Sequence, residues 1–259
     1  MVGKQIFRGE IFLNSSVVIG DGLLATELIN YLDCDQLSRK RDGFDLTDPK
    51  KWGSYLLNES QGKIVSKYDT VINCTGHTGT YSNDNQKHWN INYKSVADLV
   101  EFCNQHNVPY FVQFITDYIY TGSRENAEEA NDVPVHNATW YGYTKLLADG
   151  YVQLRSKNDY LLIRATHKKI PFTYEAAWTD QVGNFDYVTE ISKLSAELIR
   201  NRKSGVYNVG TPTKTMFDLA KRTKKDVKQI LSPPEAPKNV TMSLAKLNEA
   251  LKSSNLDST

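Results

Sequence analysis

Long apolar runs are missing from this 259-residue chain. No stretch approaches the roughly 20 apolar residues that a bilayer-spanning helix needs. The opening residues, Met1-Val-Gly-Lys-Gln-Ile-Phe-Arg-Gly-Glu10, lack the apolar core of a secretory signal. Cysteine is scarce and unpatterned: Cys34, Cys74 and Cys103 make an odd count with no C-x-x-C pair. That excludes a disulfide framework and points to free thiols in a reducing compartment, the cytoplasm. The Asn73-Cys-Thr and Asn137-Ala-Thr triplets carry no weight without a secretion signal. An excess of one charge is absent too, since 31 basic and 30 acidic residues leave a net +1. No field selects nucleic acid or a membrane surface as partner. The longest basic run, Lys221–Lys225, reads as a solvated helix face. His77, His88 and His136 do not form the three or four convergent ligands a metal centre requires, so no metal is expected. Internal repeats and low-complexity linkers are also lacking.

What is present is alternation. Forty per cent of the residues are hydrophobic, enough for one core plus a small lobe. Short apolar runs at Val17–Ile19, Thr70–Asn73, Tyr110–Ile115 and Tyr160–Ile163 read as strands. Between them Leu24, Leu28 and Leu32, and then Val96, Leu99, Val100 and Cys103, recur at helical spacing. A further helix is expected from about Tyr141 to Gln153. Strands alternating with helices predict an α/β fold with a parallel sheet covered on both faces. Ligands of such sheets sit at the carboxyl ends of the strands. Beyond Ile163 the pattern loosens. Lys168–Trp178 reads as irregular, Ile191–Ile199 as a helix, Gly205–Val209 as a strand and Met216–Arg222 as a helix. A last helix is expected around Leu244–Leu251, and Ser253–Thr259 as a disordered tail.

The first strand ends in Gly20-Asp-Gly-Leu-Leu-Ala25, a G-x-G-x-x-A pattern that opens into a helix. Gly20 permits a tight turn, and Gly22 lets a pyrophosphate approach the helix amino terminus, next to Leu23 and Leu24. At the end of the second strand an NAD enzyme usually carries an acid for the ribose 2′-hydroxyl. This chain instead reads Leu37-Ser-Arg-Lys-Arg41. Arg39, with Ser38 as a hydrogen-bond donor, suits a 2′-phosphate. NADP(H) is therefore preferred, with NAD(H) as the alternative.

Tyr141 and Lys145 stand four residues apart and so share one helix face. An ammonium beside a phenol favours the phenolate, which would make Tyr141 a usable acid for a carbonyl oxygen. Thr116, at the carboxyl end of the Phe111–Ile115 strand, could hydrogen-bond the same oxygen.

Together these residues resemble the extended short-chain dehydrogenase/reductase superfamily, and within it the dTDP-4-dehydrorhamnose reductase group. The similarity runs from about Val17 to Leu251. It rests on Gly20–Ala25, Phe44–Pro49, Val71–Gly76, Ile91-Asn92, Ile115–Tyr120, Tyr141–Lys145, Leu162–Arg164 and Gly205–Gly210, in that order. The resemblance implies a Rossmann-type doubly wound sheet at residues 15–165 plus about 186–203. It also implies a small C-terminal substrate-binding lobe from about 166–185 and 204–252. By position it places Asp45 and Leu46 at the adenine, and Cys74, Thr75 and Gly76 along the cofactor. Asn92 would lie near the active site, and Thr116, Tyr141 and Lys145 would form the catalytic set. His77, Asp117, Trp140 and Thr166 would face a nucleotide-sugar substrate, and a homodimer is compatible. The implied reaction is NADPH-dependent reduction of the C4 keto group of a nucleotide-linked 4-keto-6-deoxysugar. The alternatives are a nucleotide-sugar epimerase or dehydratase on the same scaffold, or a non-catalytic NADP-binding regulatory subunit. Two stretches depart from the group. The phosphate loop is one residue shorter than G-x-x-G-x-x-G, and Arg164 is followed by Ala-Thr-His-Lys-Lys-Ile-Pro-Phe172 in place of a W-V-Y-G-like run. The segment from Arg164 to the Ile191 helix is also shortened.

Overall fold

In the computed structural model, residues 15–121, 125–129 and 139–256 are described, the last four as backbone only. Residues 1–14, His136, Asn137 and the end of the expected tail lie outside them.

Six strands form the central sheet: β1 (Ser16–Ile19), β2 (Asp35–Leu37), β3 (Thr70–Asn73), β4 (Tyr110–Phe114), β5 (Asp159–Arg164) and β6 (Gly205–Asn208). Their order is β6-β5-β4-β3-β1-β2, with every neighbouring pair parallel. The chain runs outward from β1 in both directions, so the switch point falls between β1 and β3.

Register explains the two covered faces. Val18, Ile72, Val112 and Leu161 are aligned across four strands. They join one core with Leu24, Ala25 and Leu28 of α1 (Leu23–Leu28) and with Val188, Ile191 and Ile199 of a long helix, Val188–Arg200. Their neighbours in sequence, Val17, Val71, Phe111 and Leu162, point the other way, as strand alternation requires. These meet Val96, Leu99 and Val100 of α2 (Ser95–Gln105), and Ala148 and Val152 of α3 (Trp140–Arg155). The long helix Val188–Arg200 is α4.

α1 stops at Leu28, before the apolar stripe does. Ile29, Asn30 and Tyr31 are weak helix formers, and the Arg200 guanidinium takes the Tyr31 carbonyl at 2.9 Å. Leu32 still reaches the core, from the following turn. A polar hairpin, Leu57–Ser60 with Lys63–Ser66, was not visible in the sequence pattern.

Beyond β5 the chain builds a third small core from Phe172, Ala177, Phe185, Tyr187, Met216, Leu219, Val227 and Val240. The stretch expected as irregular contains two short strands. His167–Lys168 pairs with Asp186–Tyr187, and Ala176–Trp178 with Lys228–Ile230. Helix α5 (Met216–Lys221) starts with a reciprocal cap between Thr215 and Asp218. Helix α6 (Ala245–Leu256) runs on into the expected tail. One buried ion pair ties β5 to α3: Arg164 Nε and Nη2 each donate to Asp149 at 2.8 Å. Arg164 Nη1 donates to the Tyr120 hydroxyl and the Glu129 carbonyl, so the guanidinium is well satisfied although enclosed.

Candidate active site

A cleft of about 750 Å³ runs along the carboxyl ends of β1 to β5. Gly20, Gly22, Leu23, Leu24, Ser38, Arg39, Asp45, Leu46, Cys74, Thr75, Gly76, Thr116, Tyr141, Lys145 and Thr166 all line it.

The glycine turn is built for close approach. Gly20 has φ +129°, a conformation L side chains rarely adopt. A Cβ on Gly22 would meet nothing within 4 Å, so the space above the turn is open. That opening lies at the start of α1.

At the tip of β2, Ser38 caps the short helix Arg39–Asp42, accepting from the Arg41 N–H at 3.1 Å. Its hydroxyl proton is thereby left for another acceptor. Arg41 is held back by Gln36 and Asp42. The Arg39 side chain is 81% exposed, and its contact with Asp45 is loose, at 3.6 Å. Asp45 is held below the usual carboxylate range by the Thr47 hydroxyl, against the opposing effect of burial.

Under the middle of the cleft lies a buried polar chain. Thr75 N and Oγ1 donate to Asn73 Oδ1 at 3.0 and 2.7 Å. Asn73 Nδ2 donates to Gln113 Oε1 at 2.8 Å, and Gln113 Nε2 donates to the Phe114 carbonyl at 2.8 Å. That same carbonyl accepts from Lys145 Nζ at 3.1 Å. Lys145 is thus aimed from α3 across the end of β4, and Gly76 leaves it room: a Cβ there would stand 3.2 Å from Nζ.

Asn92 does not line the cleft. It lies in a π-helical turn, Trp89–Lys94, and is fully buried. It accepts from the His77 N–H at 2.7 Å and donates to the His77 carbonyl at 3.0 Å. Its role is to hold the loop after β3.

Thr116 and Tyr141 line the cleft together. Burial pushes the half-buried Tyr141 up to about 12, with Thr116 pulling against it and the Asp117 charge adding to it. Lys145 is pulled down to about 8 by burial. The expected lowering of the phenol by Lys145 is therefore not present in the chain alone, where burial dominates. Asp117 stands behind the cleft wall. Its Oδ1 accepts from Thr166 at 2.5 Å and Thr116 at 3.3 Å, while Oδ2 is enclosed with no partner. Burial pushes its carboxyl up to about 6.

Two other expected substrate contacts fall outside the cleft lining. His77 packs on His88, their ring centroids 4.4 Å apart, and Trp140 stacks edge-on against Tyr143 at the surface. No group of three or more His, Cys, Asp or Glu residues able to hold a metal occurs among the described residues. No helix among them is long and apolar enough to cross a membrane. All three cysteines are free thiols.

The sequence pattern did not single out the polar chain through Gln113, nor Tyr118, His167, Lys168, Lys169 and Tyr174, which all line the cleft. The strand-end rule could have marked His167–Lys169, which follow β5 directly.

The parallel sheet, the glycine turn at its switch point and the Thr–Tyr–Lys cluster define a dinucleotide-binding α/β protein of the dehydrogenase type. Residues 34–168, more than half of the chain, match the NAD dependent epimerase/dehydratase family, and the chain belongs to it. No curated protein matches the sequence. Among solved structures, a hypothetical dTDP-4-dehydrorhamnose reductase from Sulfolobus tokodaii is 20% identical. It superposes with TM-score 0.74 over 91% of this chain and 94% of that one. The dTDP-4-dehydrorhamnose reductase from Bacillus anthracis in complex with NADP is 17% identical. Its TM-score is 0.75, over 94% of this chain and 99% of that one. The Bordetella bronchiseptica enzyme WbmG in complex with NAD and UDP is 14% identical. Its TM-score is 0.72, over 92% of this chain and 87% of that one. At these identities the likeness establishes the fold.

Proposed function

We propose that this protein is an NADP(H)-using reductase acting on the C4 keto group of a nucleotide-linked 4-keto-6-deoxysugar. The observation that carries the reading is one continuous cleft shared by Gly20, Gly22 and Arg39 at one end and Thr116, Tyr141 and Lys145 at the other. The residues fit the cofactor. Gly20 and Gly22 open the pyrophosphate turn, Asp45 and Leu46 flank the adenosine, and Arg39 with Ser38 receives the 2′-phosphate. A bound nicotinamide supplies the hydride.

The remaining chemistry belongs to the chain. Tyr141 Oη donates its proton to the carbonyl oxygen as that oxygen gains charge. The Thr116 hydroxyl hydrogen-bonds the same oxygen and fixes the ketone. Lys145, anchored on Phe114 O, places positive charge beside the developing phenolate. The Asn73–Gln113 chain keeps that anchor in position.

An epimerase or dehydratase reading has less support, because the one carboxylate next to Thr116, Asp117, is enclosed behind the wall. Purified protein should oxidise NADPH when offered 4-keto-6-deoxy sugars linked to dTDP, UDP or GDP, with the product alcohol read by NMR. Absence of turnover across that panel would favour a non-catalytic, NADP-binding role.

A further inference from the structure

Charge is segregated along the cleft. At the adenosine end the wall carries Asp21, Arg39 and Asp45. At the catalytic end it carries Lys145, Lys168 and Lys169, and no carboxylate among the described residues. His167 adds no cation there, since burial holds it down to about 4.

Lys145 is accounted for by Phe114 O. Lys168 is not accounted for. It is half-buried and makes no hydrogen bond or ion pair with the described residues. Lys214, also half-buried, finds acceptors at Phe185 O, Thr211 and Asp186. Lys168 has no such acceptor among the described residues, and it lines the cleft.

Its place follows from the cleft lining, which Lys168 shares with Thr116, Tyr141 and Thr166. Thr166 is hydrogen-bonded to Asp117, beside Thr116. Burial pulls the Lys168 ammonium below its usual range, with the Asp117 carboxylate pulling the other way. With one oxygen taken by two threonines and the other enclosed, Asp117 is not its hydrogen-bond partner. An ammonium partly stripped of water and lacking an acceptor is suited to an anion delivered from outside.

We propose that Lys168, with Lys169 at the rim, forms a subsite for an anionic oxygen group carried by the substrate, either a carboxylate on the sugar or the phosphate at its anomeric carbon. The proposal rests on the nucleotide-sugar part of that reading and adds a charge requirement: a phosphate contact keeps the 6-deoxysugar, whereas a carboxylate contact replaces its C6 methyl with the carboxylate of a uronate. The two sources lie differently on a pyranose. The C1 phosphate is across the ring from C4, whereas a carboxylate on C5 is next to it.

The test is calorimetric titration of the NADP⁺-saturated protein, as wild type, Lys168→Met and Lys168→Arg. The probes are the free nucleoside diphosphate, the nucleotide-linked glucose and the nucleotide-linked glucuronate, each in the uridine, thymidine and guanosine series. Lys168→Met should weaken binding roughly 10- to 100-fold, the size expected for one charge-assisted hydrogen bond, and Lys168→Arg should recover most of it. A loss confined to the glucuronate identifies the carboxylate. An equal loss for all three ligands identifies the phosphate. Unchanged affinities in Lys168→Met, with circular dichroism and NADP⁺ affinity intact, would overturn the proposal, as would a wild type that binds none of the probes. NADPH turnover on 4-keto substrates, measured separately, tells the two readings apart. Turnover without Lys168-dependent binding removes the subsite and keeps the reductase. Lys168-dependent binding without turnover does the reverse.

Discussion

Asp117→Asn should make the protein's stability less sensitive to pH, with a magnitude set by the burial of this carboxyl. Asp117 is fully enclosed, and its pKa rises from the ordinary 3.8 to about 6, chiefly through desolvation. At 1.36 kcal/mol per pKa unit, ionising it in the folded chain costs about 3 kcal/mol more than in the unfolded chain. Below about pH 4 both states are protonated and the cost is absent. Between about pH 4 and 6 the unfolded chain ionises while the folded site stays neutral, so stability falls as pH rises. Above about pH 6 the cost is fully present. Asparagine cannot ionise, yet its Oδ1 can still accept from Thr116 and Thr166. Urea titrations of both proteins from pH 4 to 8 should show the variant gaining about 3 kcal/mol relative to wild type across that window. Any constant offset from altered packing drops out of this difference. A stability difference that stays flat from pH 4 to 7 would refute the claim that Asp117 is enclosed and unpaired at Oδ2.

Removing the Asp149 carboxylate as Asp149→Ala leaves the enclosed Arg164 charge uncompensated. It should cost about 3–5 kcal/mol in urea denaturation, and an Asp149→Ala/Arg164→Met double variant should recover much of that. A single-variant loss below about 1 kcal/mol would count against this ion pair. Gly22→Ala should leave the thermal midpoint unchanged, since the new methyl meets nothing, but should weaken NADPH binding by fluorescence titration at least tenfold. Unchanged NADPH affinity would mean that no cofactor phosphate lies over that turn. Arg39→Ala should weaken NADPH about 10-fold or more while leaving NADH unaffected, because only the former carries the 2′-phosphate. Equal effects on both would remove the basis for the NADP(H) preference.

Much of the sheet was legible because its strands carry two independent signals. Val17–Ile19, Thr70–Asn73 and Tyr110–Phe114 are short apolar runs, and each is followed by chemistry-bearing residues at its carboxyl end. The Leu57–Ser60 hairpin was not legible, because its residues are largely exposed and leave no apolar period. α1 was expected to be longer than it is, since Leu32 continues the helical spacing while reaching the core from a turn. At the site, Thr116, Tyr141 and Lys145 were readable from spacing and resemblance. What they touch was not. The Asn73–Gln113–Phe114 chain joins two adjacent strands, and no spacing along one strand encodes which side chains meet across the next. Asp117, His77 and Trp140 show the converse. Each is next in sequence to a cleft residue, but neighbours along a chain point in different directions. Asp117 accordingly lies behind the wall and Trp140 on the outer surface. Lys168 is reached by the strand-end rule only as one of several residues that follow β5. Its significance comes from the acceptor it lacks.

The most direct test of the central claim is a single-turnover measurement of NADPH fluorescence, with wild type and Tyr141→Phe offered the same 4-keto nucleotide sugar. The wild type should consume the cofactor. Tyr141→Phe should bind NADPH with nearly unchanged affinity yet consume it at least a hundredfold more slowly, the scale of a lost general acid. Equal rates in the two proteins would contradict the assignment of Tyr141 as the proton donor.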